Sequence, residues 1–293
     1  MVALGVGVGG MGTAVWVPIL AKALDRNRSA GPVTLYAQLA TIRVPTPTQR
    51  AEAAVVAQSL GMPREPGADG ERAWARHLAQ PRPSVRTVVF RGMLSEVARG
   101  GGKPGSTARA AAAAAAMEAG DSGLAASDPA HSVLTFCTDI RSSKVAEIAA
   151  CPWGELAWYM PKSREQWRVS GRLTVVSHGM PEGLALGSVD LAGARRSLWE
   201  RLSDGARAQF AWPAPGEARP RYDYGSGGVL DTGPFELTGD SIPTKESALD
   251  TFCLVLLEPD SVDRLELKGE PQSRTLFVLD QDSGDWTRED VNP

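Results

Sequence analysis

Apolar positions along this chain recur mostly at the two-residue period of strands, in short runs set off by turn residues. Such runs occupy Val33–Val44, Arg86–Met93 and His131–Thr138. Two more, Glu155–Met160 and Trp167–Ser177, are joined by a Pro161–Arg164 turn, and Thr251–Leu257, Arg264–Leu267, Arg274–Leu279 and Trp286–Val291 complete the set. Helical spacing is rarer. Val15, Leu20 and Leu24 mark a helix over Ala14–Asn27 with Pro18 near its first turn, where proline is tolerated. Ser142 is placed to cap a short helix reaching Ala150. Leu191, Leu198 and Leu202 mark a third helix, followed by a second short one ending near Phe210. Strands outnumber helices and follow one another through turns, with no strand–helix–strand alternation. The pattern predicts an α+β chain built on a closed or nearly closed antiparallel sheet.

Two stretches break the pattern. Residues 45–83 are polar and punctuated by Pro and Gly, with one short helix predicted around Ala73–Leu78. Residues 98–130 hold a glycine cluster, an alanine run and then small polar residues. The alanines favour helix but offer no face to bury, so the segment reads as an inserted loop rather than a module. The expected organisation is a disordered leader at 1–13 and a single domain over 14–293.

Composition narrows the function. A net charge of −3 and a pI near 5.7 leave no basic field for nucleic acid, so any cationic cluster must be local and serve a small anion. Cys137, Cys151 and Cys253 are too scattered for a disulfide framework or a zinc site, and the three histidines show no ligand spacing, so no metal is expected. No apolar run approaches the roughly 20 residues of a membrane span, and the N-terminus lacks a signal peptide's basic start; no membrane role and a cytoplasmic location are expected. Gly5-x-Gly7-x-x-Gly10 spells a dinucleotide fingerprint, but only four residues precede it and no parallel sheet follows. Trp153, Trp158, Trp167, Trp199 and Trp212 are read as packing residues, and Cys137 as a small strand residue with no base to activate it.

The cationic residues of interest are Arg86, Arg91, Arg141 and Lys144, interleaved with Thr138, Ser142 and Ser143. Arg86 and Arg91 have opposite strand parities, whereas Arg141 to Lys144 surround a predicted helix start, where free N–H groups favour an anion. Basic residues beside turns are commonly just solvated, and spacing alone does not separate the two readings. The motifs add more. Phe136-Cys-Thr-Asp-Ile-Arg-Ser-Ser-Lys144, then Pro161-Lys-Ser-Arg-Glu-Gln166-Trp-Arg168-Val-Ser-Gly-Arg172, resembles the FMN-binding core of the pyridoxamine 5′-phosphate oxidase-like split-barrel flavoproteins. Arg86-Thr-Val-Val-Phe-Arg91 resembles the family's preceding strand, and Arg274-Thr-Leu-Phe with Trp286 its closing hairpin.

The resemblance implies an antiparallel split β-barrel with peripheral helices, FMN as cofactor and a homodimer with its site at the subunit interface. Arg86 and Lys144 would hold the FMN phosphate, with Arg91 in place of the family's lysine. Thr138, Ser142 and Ser143 would add hydrogen bonds, and Arg141 would supply the charge missing at Ser143. Gln166 and Arg274 would contact the flavin end. Glu270-Pro271-Gln272 stands where the oxidases carry Arg-x-His for substrate, and Lys268 where they carry a flavin-facing tryptophan. The expected function is an FMN-dependent oxidoreductase on a small molecule such as pyridoxamine phosphate. A non-catalytic flavin-binding carrier, sensor or interaction protein is the alternative.

Overall fold

A computed structural model describes residues 14–45, 81–99, 128–216 and 245–293. The leader at 1–13, the helix expected at Ala73–Leu78 and most of the inserted loop lie outside the described residues. Helix α1 (Val17–Asn27) starts with a proline in its first turn and buries Leu20, Leu24 and Asn27 along one stripe. Strand β1 (Tyr36–Arg43) pairs antiparallel with β2 (Arg82–Val89). At Phe90–Gly92 the chain changes partner: the Phe90 N–H donates to Leu35, the Arg91 N–H to Thr135, and β3 (Gly92–Met93) pairs with β4 (Leu134–Asp139). Gly92 makes this corner at φ 123°, a conformation a side chain would resist. A short helix, α2 (Leu94–Ala98), follows β3, and α3 (Ser143–Ala150) follows β4.

Strands β5 (Trp153–Met160) and β6 (Glu165–Val176) form the expected hairpin. A two-strand ribbon, β7 (Ala185–Leu186) and β8 (Val189–Asp190), leads into helices α4 (Leu191–Glu200) and α5 (Asp204–Ala208). The last helix, α6 (Lys245–Thr251), runs into β9 (Phe252–Glu266), and β10 (Ser273–Leu279) and β11 (Trp286–Val291) end the fold. The main sheet has the order β11-β10-β9-β6-β5-β1-β2, with β4 and β3 branching from β9; the strand path does not close on itself, which is consistent with a split barrel. β9 is its spine: β6 lies along one edge, while β4 and β10 share the other.

The sequence pattern splits β9 in two, and the structure joins it. Pro259 cannot donate a ladder hydrogen bond, but it sits at a register shift opposite Gly171. A Cβ on Gly171 would lie 2.0 Å from the Glu258 carbonyl oxygen, so only glycine admits this close approach. Helices α2 and α6 do not stand out in the sequence, each being too short to establish a periodicity.

Residues 252–257 are all buried because each side of β9 faces a core. Val255 and Leu257 join Leu39, Phe136, Leu156, Trp158, Trp167 and Phe277 inside the barrel. Leu254 and Leu256 join Leu198, Trp199 and Phe252 beneath the helices. Trp158 and Trp167 are thus core, as the packing reading expects, and so is Trp199, whereas Trp153 and Trp212 are exposed. Buried Arg195 fastens α4 to β9, its Nε donating to the Phe252 carbonyl at 2.9 Å.

Strand register sorts the functional residues by face, because directly paired residues project to the same side of a sheet. Arg86 pairs with Leu39, Leu39 with Leu156, Leu156 with Val169, and Val169 with Val262. That row belongs to the barrel interior. Tyr159, Gln166, Leu265 and Arg274 form another row. Gln166 lies three positions from Val169 and Arg274 three positions from Phe277, an odd offset along a strand, so this row lies on the outer face.

Candidate functional site

The inner cluster forms where β1, β2 and β4 meet α3. Asp139 creates the turn: its Oδ1 accepts from the Arg141 N–H at 2.8 Å, and its carbonyl accepts from the Ser142 N–H. Ser142 then opens α3, which sends Lys144 back over β4. The Lys144 Nζ donates to Thr138 Oγ1 at 2.6 Å and to Ser142 Oγ at 3.1 Å. Both partners are neutral hydroxyls, and among the described residues no carboxylate lies within ion-pair distance of this ammonium. Burial, and then the nearby Arg86 charge, push the Lys144 pKa below its ordinary value. Lys144 is therefore partly buried beside a second cation, with no ion-pair partner of its own among the described residues, an environment that suits an anion of phosphate type.

Arg86 is differently placed. Its guanidinium donates to Thr41 Oγ1, to Ser84 Oγ and to Glu147 Oε2, the last at 2.5 Å. The Glu147 side chain is only 4% exposed, and Arg86 is its principal partner, with Arg43 adding a contact at 3.3 Å. Burial raises the Glu147 pKa, but hydrogen bonds from Thr41 and Arg86 and the arginine charge outweigh it and hold the carboxyl below its usual range. Glu147 therefore contributes stability above the ordinary carboxylate pKa of about 4.3, and loses it as pH falls through the lower folded value. Arg86 thus has a structural role within the chain whether or not it also meets an anion. At the partner switch, Arg91 has a buried Nε with no hydrogen-bond partner.

The other motif residues separate from this cluster. Arg141 forms a bidentate pair with Asp139 at 2.9 and 2.6 Å and donates to the Phe210 and Trp212 carbonyls. Its charge is spent clasping the segment after α5, not covering the place of Ser143. Ser143 itself is exposed. Gln166 and Arg274 lie on the outer face, joined by two residues the sequence reading did not single out. Arg274 Nε and Nη2 donate to the two oxygens of Asp263 at 3.0 and 2.8 Å, and Arg168 Nη1 donates to Asp263 Oδ2 at 3.1 Å. In the orientation that satisfies both groups, the Gln166 amide oxygen accepts from Arg168 Nε and Nη2 at 3.1 and 3.0 Å. The two-residue spacing of Gln166 and Arg168 could have suggested a shared face. Glu147, three residues after Lys144 on a short helix, carried a similar signal.

The hairpin turn that sets Gln166 in register is itself pinned. Fully buried Asn27, at the end of α1, accepts from the Lys162 N–H at 2.6 Å and donates to Ser163 Oγ at 2.8 Å. Glu165 receives Arg26, Arg264 and the Trp167 indole N–H. The loop holding Lys268, Glu270 and Gln272 is exposed beside the outer row. No group of metal-ligating side chains occurs among the described residues, and none of their helices is long and apolar enough to cross a membrane.

Several known proteins resemble this chain. Residues 75–177 match the family model described as pyridoxamine 5′-phosphate oxidase, FMN-binding domain. That span holds β2, the inner cluster and Gln166. The chain is 32% identical over 216 residues to pyridoxine/pyridoxamine 5′-phosphate oxidase 2 of Arabidopsis thaliana, covering 72% of this chain and 81% of that protein. It is also 32% identical to a pyridoxamine 5′-phosphate oxidase-related, FMN-binding protein of Nostoc punctiforme, with a TM-score of 0.60, covering 97% of this chain and 100% of the other. On the strength of the fold, the motif-bearing segment and these relatives, this chain belongs to the pyridoxamine 5′-phosphate oxidase family of split-barrel proteins, whose cofactor is FMN.

Proposed function

We propose that this protein is an FMN-dependent oxidoreductase acting on a small molecule of the pyridoxamine 5′-phosphate class, and that it works as a homodimer. The observation carrying this reading is Lys144, a half-buried ammonium held by two hydroxyls beside a second cation. That donor set fits the FMN phosphate: Lys144 and Arg86 bring charge, Thr138 and Ser142 bring hydroxyls, and the unpartnered Arg91 Nε brings a further donor. Gln166 and Arg274 present donors suited to the carbonyl edge of a flavin. Bound FMN supplies the redox chemistry that no side chain here provides. The protein would grip the phosphate and orient the ring system.

The same geometry supports the dimer. The phosphate cluster faces inward and the Gln166–Arg274 row outward, so one chain does not bring the two groups together. The outer face also exposes Trp153, Tyr159 and Val85, at 52%, 51% and 62%, an apolar surface suited to a second copy. In the dimer, one subunit's outer row would complete the partner's phosphate cluster.

The second reading, flavin binding without turnover, is favoured by exposed Glu270 in the loop beside the outer row, where its charge opposes a phosphorylated substrate. Loading the protein with FMN and supplying pyridoxamine 5′-phosphate under air separates the two readings. Oxidoreductase activity predicts peroxide formed in step with loss of the amine. Bound FMN with no such turnover would contradict the proposed substrate class and favour the carrier.

A further inference from the structure

We propose that Asp263 is a positioning residue that sets the charge and hydrogen-bond polarity of the outer row, and through it the reduction potential of the bound flavin. The proposal rests on the reading that Gln166 and Arg274 face the flavin end. Asp263 lies on β9 between Arg168 on β6 and Arg274 on β10, and it contacts both. Its two oxygens fix the plane of the Arg274 guanidinium and turn Nη1 away from the pair. The same carboxylate holds Arg168, whose Nε and Nη2 engage the Gln166 amide oxygen. Gln166 is thereby left with its Nε2 as a donor.

The row ends in donors on both sides, with the positive charges of Arg168 and Arg274 set against the one negative charge of Asp263. The arrangement is only partly exposed: the Asp263 side chain is 15% accessible, so solvent screens it incompletely. The row carries one net positive charge, enough to favour the electron-rich form of a flavin beside it without the full pull of two free arginines. Asp263 is the element that tempers that pull.

Two variants with opposite charge changes test this. Asp263→Asn removes the negative charge and keeps the size, and Arg168→Gln removes one positive charge. Each is loaded with FMN, its FMN Kd is measured by quenching of flavin fluorescence, and its midpoint potential is determined against a reference dye. Asp263→Asn is expected to shift the reduction equilibrium about fivefold to tenfold towards the reduced form. The tenfold end corresponds to about 30 mV for a two-electron couple. Arg168→Gln is expected to shift it in the opposite direction, with both Kd values within about threefold of wild type, since the phosphate cluster is untouched. Loosening of the strands alone would not give opposite signs. Shifts of the same sign, no shift, or a large loss of FMN binding in Asp263→Asn would overturn the inference. A wild-type protein that binds no FMN would overturn the underlying reading and this inference with it, whereas bound FMN with unchanged potentials would overturn this inference alone.

Discussion

Replacing Lys144 by methionine is expected to weaken FMN binding by about 30- to 100-fold while leaving the FMN-free protein at least as stable as before. Charge-assisted hydrogen bonds to a phosphate contribute about 1.5–3 kcal/mol, and each 1.4 kcal/mol is about tenfold in Kd. Methionine keeps the apolar stem of the side chain and removes only the ammonium. The stability half follows from sign. Burial, then the Arg86 charge, lower the Lys144 pKa, so folding disfavours its charged form at every pH below that lowered value. Deleting the charge removes that penalty. Fluorescence titration and thermal melts without FMN report the two quantities separately. An unchanged Kd, or a Tm lowered by several degrees in the FMN-free protein, would contradict the reading of Lys144 as a cation waiting for an anion.

Arg86→Ala is expected to behave in the opposite way, costing about 2–3 kcal/mol of stability before any ligand is added. It strips the main partner from the buried Glu147, and breaking a buried ion pair from one side typically costs about 3–5 kcal/mol. The cost falls below that range because Arg86 is itself 19% exposed and Arg43 still reaches the carboxylate. The double variant Arg86→Ala, Glu147→Gln removes the stranded charge and is expected to recover most of the stability. If Arg86 also holds the FMN phosphate, that double variant recovers no FMN affinity. Recovery of both would assign Arg86 a structural role alone. The paired outcome matters because motif resemblance makes Arg86 and Lys144 equivalent, whereas their surroundings do not: one is charge-paired and the other is not.

The sheet was legible because its strands alternate cleanly. Each side of β5 and β6 meets a different environment, and the sequence records it residue by residue. β9 was harder to read, since burial on both faces erases alternation and Pro259 imitates a break that Gly171 absorbs from across the sheet. The inner cluster was partly legible, because Thr138, Ser142 and Lys144 lie within seven residues around one helix start. The counter-ions of the inner and outer arginines were not. Glu147 meets Arg86 only through the packing of α3 against β1 and β2, and Asp263 meets Arg168 and Arg274 only through three-strand register. Arg141 illustrates the converse. Its place in the motif suggests a role in the phosphate cluster, while the fold gives its guanidinium to Asp139 and the carbonyls after α5. Sequence motifs report which charges are present; the partners that neutralise them are fixed by the sheet.

The most direct measurement is the visible absorbance spectrum of the purified protein, before and after adding FMN, with the released chromophore identified by mass. A flavin spectrum with stoichiometric FMN is the predicted result. A colourless protein that also fails to take up added FMN would contradict it and leave the Lys144 cluster without its proposed ligand.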